Sequence, residues 1–427
     1  MNKFKLTLFF AFVVQFTFAQ KSGSIEERLK DLKGIEFEKI ESFDSLHQTF
    51  KIRIIQPVDH KNPNAGVFSQ KIYLSHLDVN QPAVLVTEGY QARRNYLSEP
   101  AKLLNANQII VEHRFFGESA PDSLDWTKLN TFQAASDHHR IVELFKKIYN
   151  KNWVSTGISK GGQTTIYYRY YFPDDVSVSM PYVAPLNIEQ EDTRINLFLR
   201  TVGTPEIRAQ LLDFQRKLLA NEAEILPLLS LYKKRKKIDF TQSDGLVFEF
   251  AVLGIPFTFW QWAPFDSESL KDVENTPEAL FSKLEEAGIL DMYSVKSQAY
   301  FLPFFVQAYQ EIGYYDFDID SLKSQLNYVT NPSNIVFLPD SLQLPFLDHQ
   351  MEKVHHWLAN NGNNFLYIYG EQDPWISTSP NPDSRTNALK MVLKGGFHAT
   401  RLKDFTEEEQ ERAIDLIKSW LEDKNEE

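Results

Sequence analysis

Hydrophobic and polar positions alternate at two periods along this chain, and each change of period marks a new element. From Thr49 the stretch F-K-I-R-I-I-Q alternates at a period of two and predicts a strand, paired with a second over Val67–Leu77. Ala83–Thr87 is an unbroken apolar run, the mark of a parallel strand buried on both faces, and Gln108–Glu112 reads as the next strand. From about Thr131 the period lengthens to that of a helix, with Phe132, Ala135, Val142, Phe145 and Ile148 on one face. A short strand ends at Trp153–Ser155, a helix follows over Thr164–Phe172, and Val178–Val183 is apolar again. Strands first, then strand and helix in alternation, imply a mainly parallel sheet with right-handed crossovers.

Residues 21–48 are charged and read as helix-prone. Around Asn187 the alternation of strand and helix stops, and up to about Thr330 the chain reads as helices with proline breaks, such as Glu206–Leu219 and Thr276–Ala287. A helical block inserted between sheet elements predicts a cap over the C-terminal edge of the strands. The sheet resumes with Phe365–Tyr369 and Ala388–Leu393. A last helix starts at Thr406, whose capping box with Glu409 fixes its beginning, and Ala413, Ile414, Ile417, Trp420 and Leu421 form its buried face. The expected division is a leader over residues 1–19, a first core part over 20–187, a cap over 188–330 and a second core part over 331–427.

Between the strand at Trp153 and the helix after it lies Gly157-Ile158-Ser159-Lys160-Gly161, a G-x-S-x-G turn followed by Gly162. Strand, tight turn and helix are the setting of a nucleophile elbow, in which the serine hydroxyl stands above the sheet and the next N–H faces a developing oxyanion. A serine hydroxyl needs a base, and the base needs an acid to orient it. In an α/β-hydrolase these follow in the order Ser, Asp or Glu, His, each after a strand. Asp373, in Gly370-Glu371-Gln372-Asp373-Pro374, and His398, in Gly395-Gly396-Phe397-His398, lie at those places, with Glu371 as the rival acid. The second oxyanion donor belongs to the loop after the third strand, which points to the Tyr90 N–H beside that of Lys160. The expected fold is therefore α/β, an α/β-hydrolase with an inserted helical cap.

Composition narrows the chemistry. A net charge of −12 over 427 residues disfavours nucleic acid as a partner, and 14% aromatic content suits an aromatic-walled cleft. With no cysteine, thiol nucleophiles and thiolate metal sites are excluded. His138-His139 and His355-His356 lack metal-ligand spacing, so neither metal nor cofactor is expected. The basic run Lys233–Lys237 reads as a solvated face. Lys3 and Lys5, the apolar run Leu6–Val14 and Thr17-Phe18-Ala19 form a signal-peptide pattern with its cut after Ala19, so a secreted or periplasmic protein is expected.

Glu112–Ser119 (E-H-R-F-F-G-E-S), Ser155–Gly162 (S-T-G-I-S-K-G-G), Phe172–Val176 and Tyr182–Pro185 resemble the secreted bacterial prolyl tri/tetrapeptidyl aminopeptidases. The first block is also similar to that of the prolyl carboxypeptidase and dipeptidyl-peptidase 7 family, and Gln310–Tyr315 continues the match in the cap. The resemblance implies a serine exopeptidase that takes short peptides from a free N-terminus, often after proline. A carboxylate should then hold the substrate ammonium, with Glu311 the first candidate and Glu112 the second. Trp260, Trp262 and Trp375 are candidate walls of a proline pocket. An esterase or lipase of the same fold, and a non-enzymatic binding protein on the same scaffold, are the alternatives.

Overall fold

The computed structural model describes residues 23–422, so the expected leader lies outside the described residues. Residues 23–33 lie in one unit, with helix α1 (Ile25–Lys30) capped reciprocally by Ser24 and Glu27. From Gly34 onward the chain forms a second unit, which holds all the strands found among the described residues. Its nine strands are β1 (Ile35–Ile40), β2 (Gln48–Pro57), β3 (Val67–His76), β4 (Ala83–Thr87), β5 (Asn107–Val111), β6 (Trp153–Ile158), β7 (Val178–Tyr182), β8 (Leu366–Gly370) and β9 (Leu389–Leu393). They lie in one sheet in the order β1-β2-β3-β5-β4-β6-β7-β8-β9. β1, β2, β3 and β5 pair antiparallel, and every pairing from β5 to β9 is parallel. With the crossed order of β5 and β4 and the helices between the parallel strands, this is the α/β-hydrolase fold. One expectation fails at the near edge. Ile35–Ile40 (I-E-F-E-K-I) forms β1, because its alternation lets it pair with β2 despite its charge.

The helices between the strands are α2 (Glu99–Leu103), α3 (Thr131–Phe145) and α4 (Lys160–Tyr171). After β7 the chain leaves the sheet and builds α5 (Arg194–Leu199), α6 (Pro205–Ala220), α7 (Glu222–Lys236), α8 (Asp244–Leu253), α9 (Ile255–Trp262), α10 (Pro277–Glu286) and α11 (Val295–Gln307). It returns through α12 (Gln350–Asn361) to β8, and α13 (Glu407–Glu422) closes the described chain. The insertion has its own apolar core, around Phe248, Phe250, Ile255, Trp260 and Leu280. Among the described residues no single helix is long and apolar enough to cross a membrane. α8 and α9 together approach that composition, but they bend by 50° at Gly254 and most of their side chains are buried in the cap core. The basic run falls at the C-terminus of α7, where it opposes the helix dipole, and Lys233 pairs with Asp244 at 2.6 Å.

A buried charge network ties the strand end after β5 to α3. The Arg114 guanidinium grips Asp137 with two bonds of 2.7 and 2.8 Å, and donates also to the carbonyls of Lys128 and Val58. Burial works to raise the Asp137 carboxyl, but Arg114 and His60 beside it win and hold it below its ordinary range. Arg114→Met would leave Asp137 buried without its main partner. That change should cost about 3–5 kcal/mol, read as a lower urea midpoint at unchanged slope.

Candidate active site

The serine follows β6 directly and has φ 57° and ψ −124°, a backbone region that side chains other than glycine's rarely adopt. Its neighbours make the turn possible. A Cβ on Gly157 would stand 2.2 Å from the Gly161 carbonyl oxygen, and one on Gly161 would stand 2.6 Å from that of Thr87. The Ser159 N–H donates to the Tyr182 carbonyl at 2.8 Å, and the Thr87 hydroxyl donates to that of Gly161 at 2.8 Å, so the elbow is held by both flanking strands.

Asp373 follows β8 and His398 follows β9. Asp373 Oδ2 lies 2.7 Å from His398 Nδ1, with both residues buried. Asp373 Oδ1 accepts the Trp375 N–H at 3.2 Å. A carboxylate at Nδ1 keeps the proton there and leaves Nε2 as the basic nitrogen. The rival acid is committed elsewhere, since Glu371 Oε2 accepts the Gly395 N–H at 2.8 Å. The cap reaches this loop too. The His398 N–H donates to the Gln261 carbonyl at 3.0 Å, and the Trp262 ring stands edge-on to the imidazole at 5.0 Å.

Lys160 is the first residue of α4, so its N–H has no acceptor within the helix. Lys160 and Tyr90 line the same small pocket as Ser159. The Lys160 side chain turns back and is buried, with Nζ donating to the Gly89 carbonyl at 2.8 Å. Nζ lies 5.7 Å from the centroid of the Tyr90 ring and 5.6 Å from that of Phe116. No carboxylate approaches it among the described residues, and burial pulls its pKa well below the ordinary lysine value. The Gly89 carbonyl and the Tyr90 N–H belong to one planar trans peptide and point in opposite directions. Holding one aims the other. The His113 N–H takes the Tyr90 carbonyl at 3.1 Å, so both peptides around Tyr90 are pinned.

Aromatic side chains wall the pocket. Tyr90, Phe304, Tyr314 and Trp375 surround it, with Pro185, Asn187 and Gly313 completing the lining. Trp375 packs against Phe257, Tyr314 and Tyr315 at 5.1, 5.7 and 5.9 Å. Asn187, 1% exposed, donates through Nδ2 to the Gly313 carbonyl at 3.0 Å and leaves its Oδ1 without a partner. Sequence reasoning missed Asn187, Phe304 and the Lys160 side chain, since only the fold brings them to the serine. Tyr314 was legible as part of Gln310–Tyr315.

Of the three tryptophans, Trp375 alone lines this pocket. Trp260 is 2% exposed in the cap core and lines a separate cavity, while Trp262 is 54% exposed at His398. The two carboxylates expected to hold an ammonium are already engaged. Glu112 is fully buried, with Lys71 Nζ at 2.7 Å, the N–H groups of Ala92 and Glu118 at 3.0 and 2.8 Å and the Ser119 hydroxyl at 2.9 Å. Glu311 accepts the N–H and the hydroxyl of Thr131 at 2.6 and 2.5 Å, capping α3 from the cap side. Burial pushes Glu311 up to about 7. Each satisfies backbone donors that would otherwise be orphaned, so neither is free for a ligand. Among the described residues no group of histidines and carboxylates could hold a metal ion.

Residues 19–421 match the PS-10 peptidase S37 family. The chain is 30% identical over 412 residues to the prolyl tri/tetrapeptidyl aminopeptidase of Streptomyces mobaraensis, covering 93% of this chain and 85% of that protein. A shorter match, 32% over 120 residues, joins 25% of this chain to 22% of the serine protease vicPb of Bipolaris victoriae. The solved proline iminopeptidase of Mycobacterium smegmatis superposes over 90% of this chain and 99% of its own, at 14% identity and a TM-score of 0.39, too loose to bear on the site.

Two outcomes follow from this geometry. Lys160→Met keeps the stem and removes the donor to Gly89. It should leave stability equal or higher, because a buried ammonium is lost, yet lower kcat by roughly 10- to 1000-fold, the range for a disturbed oxyanion donor. Unchanged turnover would refute the aiming role.

Glu311→Gln tests the cap brace through pH. The folded carboxyl sits near 7 against 4.5 for the free group, so the folded state keeps a proton that the unfolded state releases. Its stabilising contribution is complete below about pH 4.5 and lost as pH rises through about 7. Urea titrations from pH 4 to 8 should lose that slope in Glu311→Gln. Its kcat/KM should change equally on free and acetylated peptides.

Proposed function

The chain belongs to the PS-10 peptidase S37 family of serine peptidases, and from that premise we propose that it releases peptides of three or four residues, ending in proline, from the free amino terminus of its substrates. Ser159 attacks the scissile carbonyl, and His398 takes the serine proton and returns it to the leaving amine. Asp373 holds the imidazole in the right tautomer. The amides of Lys160 and Tyr90 receive the oxyanion, and water then resolves the acyl-enzyme.

The observation that carries this reading is the wall of the pocket beside Ser159. A proline ring is short, stiff and apolar, and it suits a small cleft between Phe304, Tyr314 and Trp375. The free Oδ1 of Asn187 supports a peptide rather than an ester, because only a peptide offers an N–H to a buried acceptor. The name of the Streptomyces relative, at 30% identity, supports both the proline and the length of the released unit.

With Glu311 and Glu112 engaged, we assign the reading of the free ammonium to Glu191 and Asp316. Glu191 bridges to Tyr314 in the pocket wall. Burial and the charge of Asp316 both raise Glu191, and neither side chain has an ion pair among the described residues. An added cation would relieve that repulsion. Export completes the proposal, supported by the basic, apolar and small-residue pattern of residues 1–19.

Mass analysis of digests of free and acetylated proline-containing peptides tests the activity. Ser159→Ala should abolish hydrolysis, a loss on the order of 10⁴–10⁶ in turnover, with the fold intact. Asp316→Asn should lower kcat/KM by roughly 10- to 150-fold on free peptides and little on small esters. Release of single residues, or cleavage of acetylated peptides at the same rate, would overturn the reading. Secreted protein whose sequence begins elsewhere than at Gln20 would refute the expected cut.

A further inference from the structure

A second opening begins at the elbow, on the side away from the aromatic pocket. A cavity of about 410 Å³ is lined by Gly157 and Ile158 of β6, by Glu88 and Tyr96 after β4, by α2 and by Arg401 and Lys403 beyond the base. A shallower one of about 310 Å³ shares Glu88 and Tyr96 with it, and shares Tyr90 with the aromatic pocket. Through these shared walls the two form one groove, which begins beside Ile158, the residue before Ser159, and reaches Arg401 and Lys403, three and five residues beyond His398. Ile158, the residue before the serine, is 41% exposed here, an apolar side chain left for a substrate to cover.

The groove is basic in an acidic protein. Arg93, Arg94, Lys102 and Lys403 are exposed along it and Arg401 is half-buried, while the whole chain carries a net charge of −12. Lys102, Arg93, Arg94, Arg401 and Lys403 make no ion pair among the described residues. Arg401 spends its donors on the carbonyls of His398 and Thr400, and Arg93 lies over the Tyr300 ring at 4.5 Å. Two carboxylates line the groove, and both are quietened. Glu99 accepts the Tyr182 hydroxyl and the N–H groups of Leu402 and Lys403. Glu88 accepts the Tyr96 hydroxyl at 2.9 Å, and burial pushes it up to about 7, so it is half neutral near that pH.

In acyl transfer through a serine, the acyl part occupies one side of the nucleophile and the leaving amine departs on the side of the histidine. The aromatic pocket takes the acyl part under the proposed function, on which this inference rests. We infer that the basic groove is the subsite of the leaving segment, and that it selects segments with a carboxylate within the first two residues after the cut. That carboxylate can be an acidic side chain or the terminal carboxylate of a very short leaving peptide. The subsite moves no bond of its own. It raises the local concentration of anionic leaving segments and orients the first residue under His398.

The test uses three peptides that share one N-terminal segment ending in proline. They continue as Asp-Ser-amide, Asn-Ser-amide and Asn-Ser with a free carboxylate. At low salt the wild type should cleave the first and third faster than the second, by roughly 3- to 10-fold for one or two exposed charge contacts. Added salt should shrink the ratio. Lys102→Gln/Lys403→Gln should bring it toward one, while turnover of the anilide of the same N-terminal segment, which has no leaving peptide, stays unchanged. A ratio of one in the wild type, or a ratio that survives the double change, overturns the inference. A gain for the first peptide alone assigns the subsite to an acidic side chain, and a gain for the third alone assigns it to a chain terminus. A second readout is independent of the exopeptidase reading. Asp-Ser-amide should inhibit hydrolysis of a small acetate ester more strongly than Asn-Ser-amide, and equal inhibition would refute the groove whatever the peptide specificity proves to be.

Discussion

The close approach of Gly157 to the Gly161 carbonyl is the constraint on which the reactive end of the sheet depends. A Cβ at Gly157 would stand 2.2 Å from that oxygen, so the turn between β6 and α4 closes only over bare backbone. Once it closes, Ser159 must take its left-handed φ of 57°, a strain of order 1–3 kcal/mol. The strain persists because the bonds to Tyr182 and Thr87 hold both sides of the turn. The same closure starts α4 at Lys160, whose N–H therefore has no acceptor within the helix while its side chain reaches Gly89. One tight contact thus sets the serine, one amide and, through a lysine stem, the direction of the next.

Around this centre the protein keeps several polar and charged groups out of water by pairing them with one another. Arg114 with Asp137, Lys71 with Glu112, and Glu311 on Thr131 each join elements that the sheet alone would leave loose. Such pairs add little net stability over apolar packing, and their strength lies in direction. A carboxylate with three backbone or hydroxyl donors, as at Glu112, fixes the loop that follows β5 and the Ala92 end of the loop that follows β4 at once. The block Glu112–Ser119, which looks like a site in sequence, is the buttress behind one.

That distinction marks how far the sequence could be read. The buried strands, α3, α4 and the capping box of α13 were legible because period and cap are local properties. The order Ser159, Asp373, His398 was legible because each follows a strand, and the structure brings Asp373 and His398 within 2.7 Å. Tertiary neighbours decided the rest. Nothing in Gln310–Tyr315 tells that a helix N-terminus from 180 residues earlier will claim Glu311. Three tryptophans within one chain look alike until Gly203 lies under the Trp260 ring and His398 beside Trp262. β1 was misread because its charges hid an alternation that only β2 could use.

The cap meets the loop that carries His398 through two consecutive residues of its own. The His398 N–H is bonded to the Gln261 carbonyl, and the next cap residue rests its indole on the imidazole. Any movement of the cap at Gln261 therefore either breaks that bond or carries His398 with it, so the position of the imidazole is coupled to that of the cap. A change at Gln261 or Trp262, more than a hundred residues earlier in the chain, acts directly on the His398–Asp373 pair.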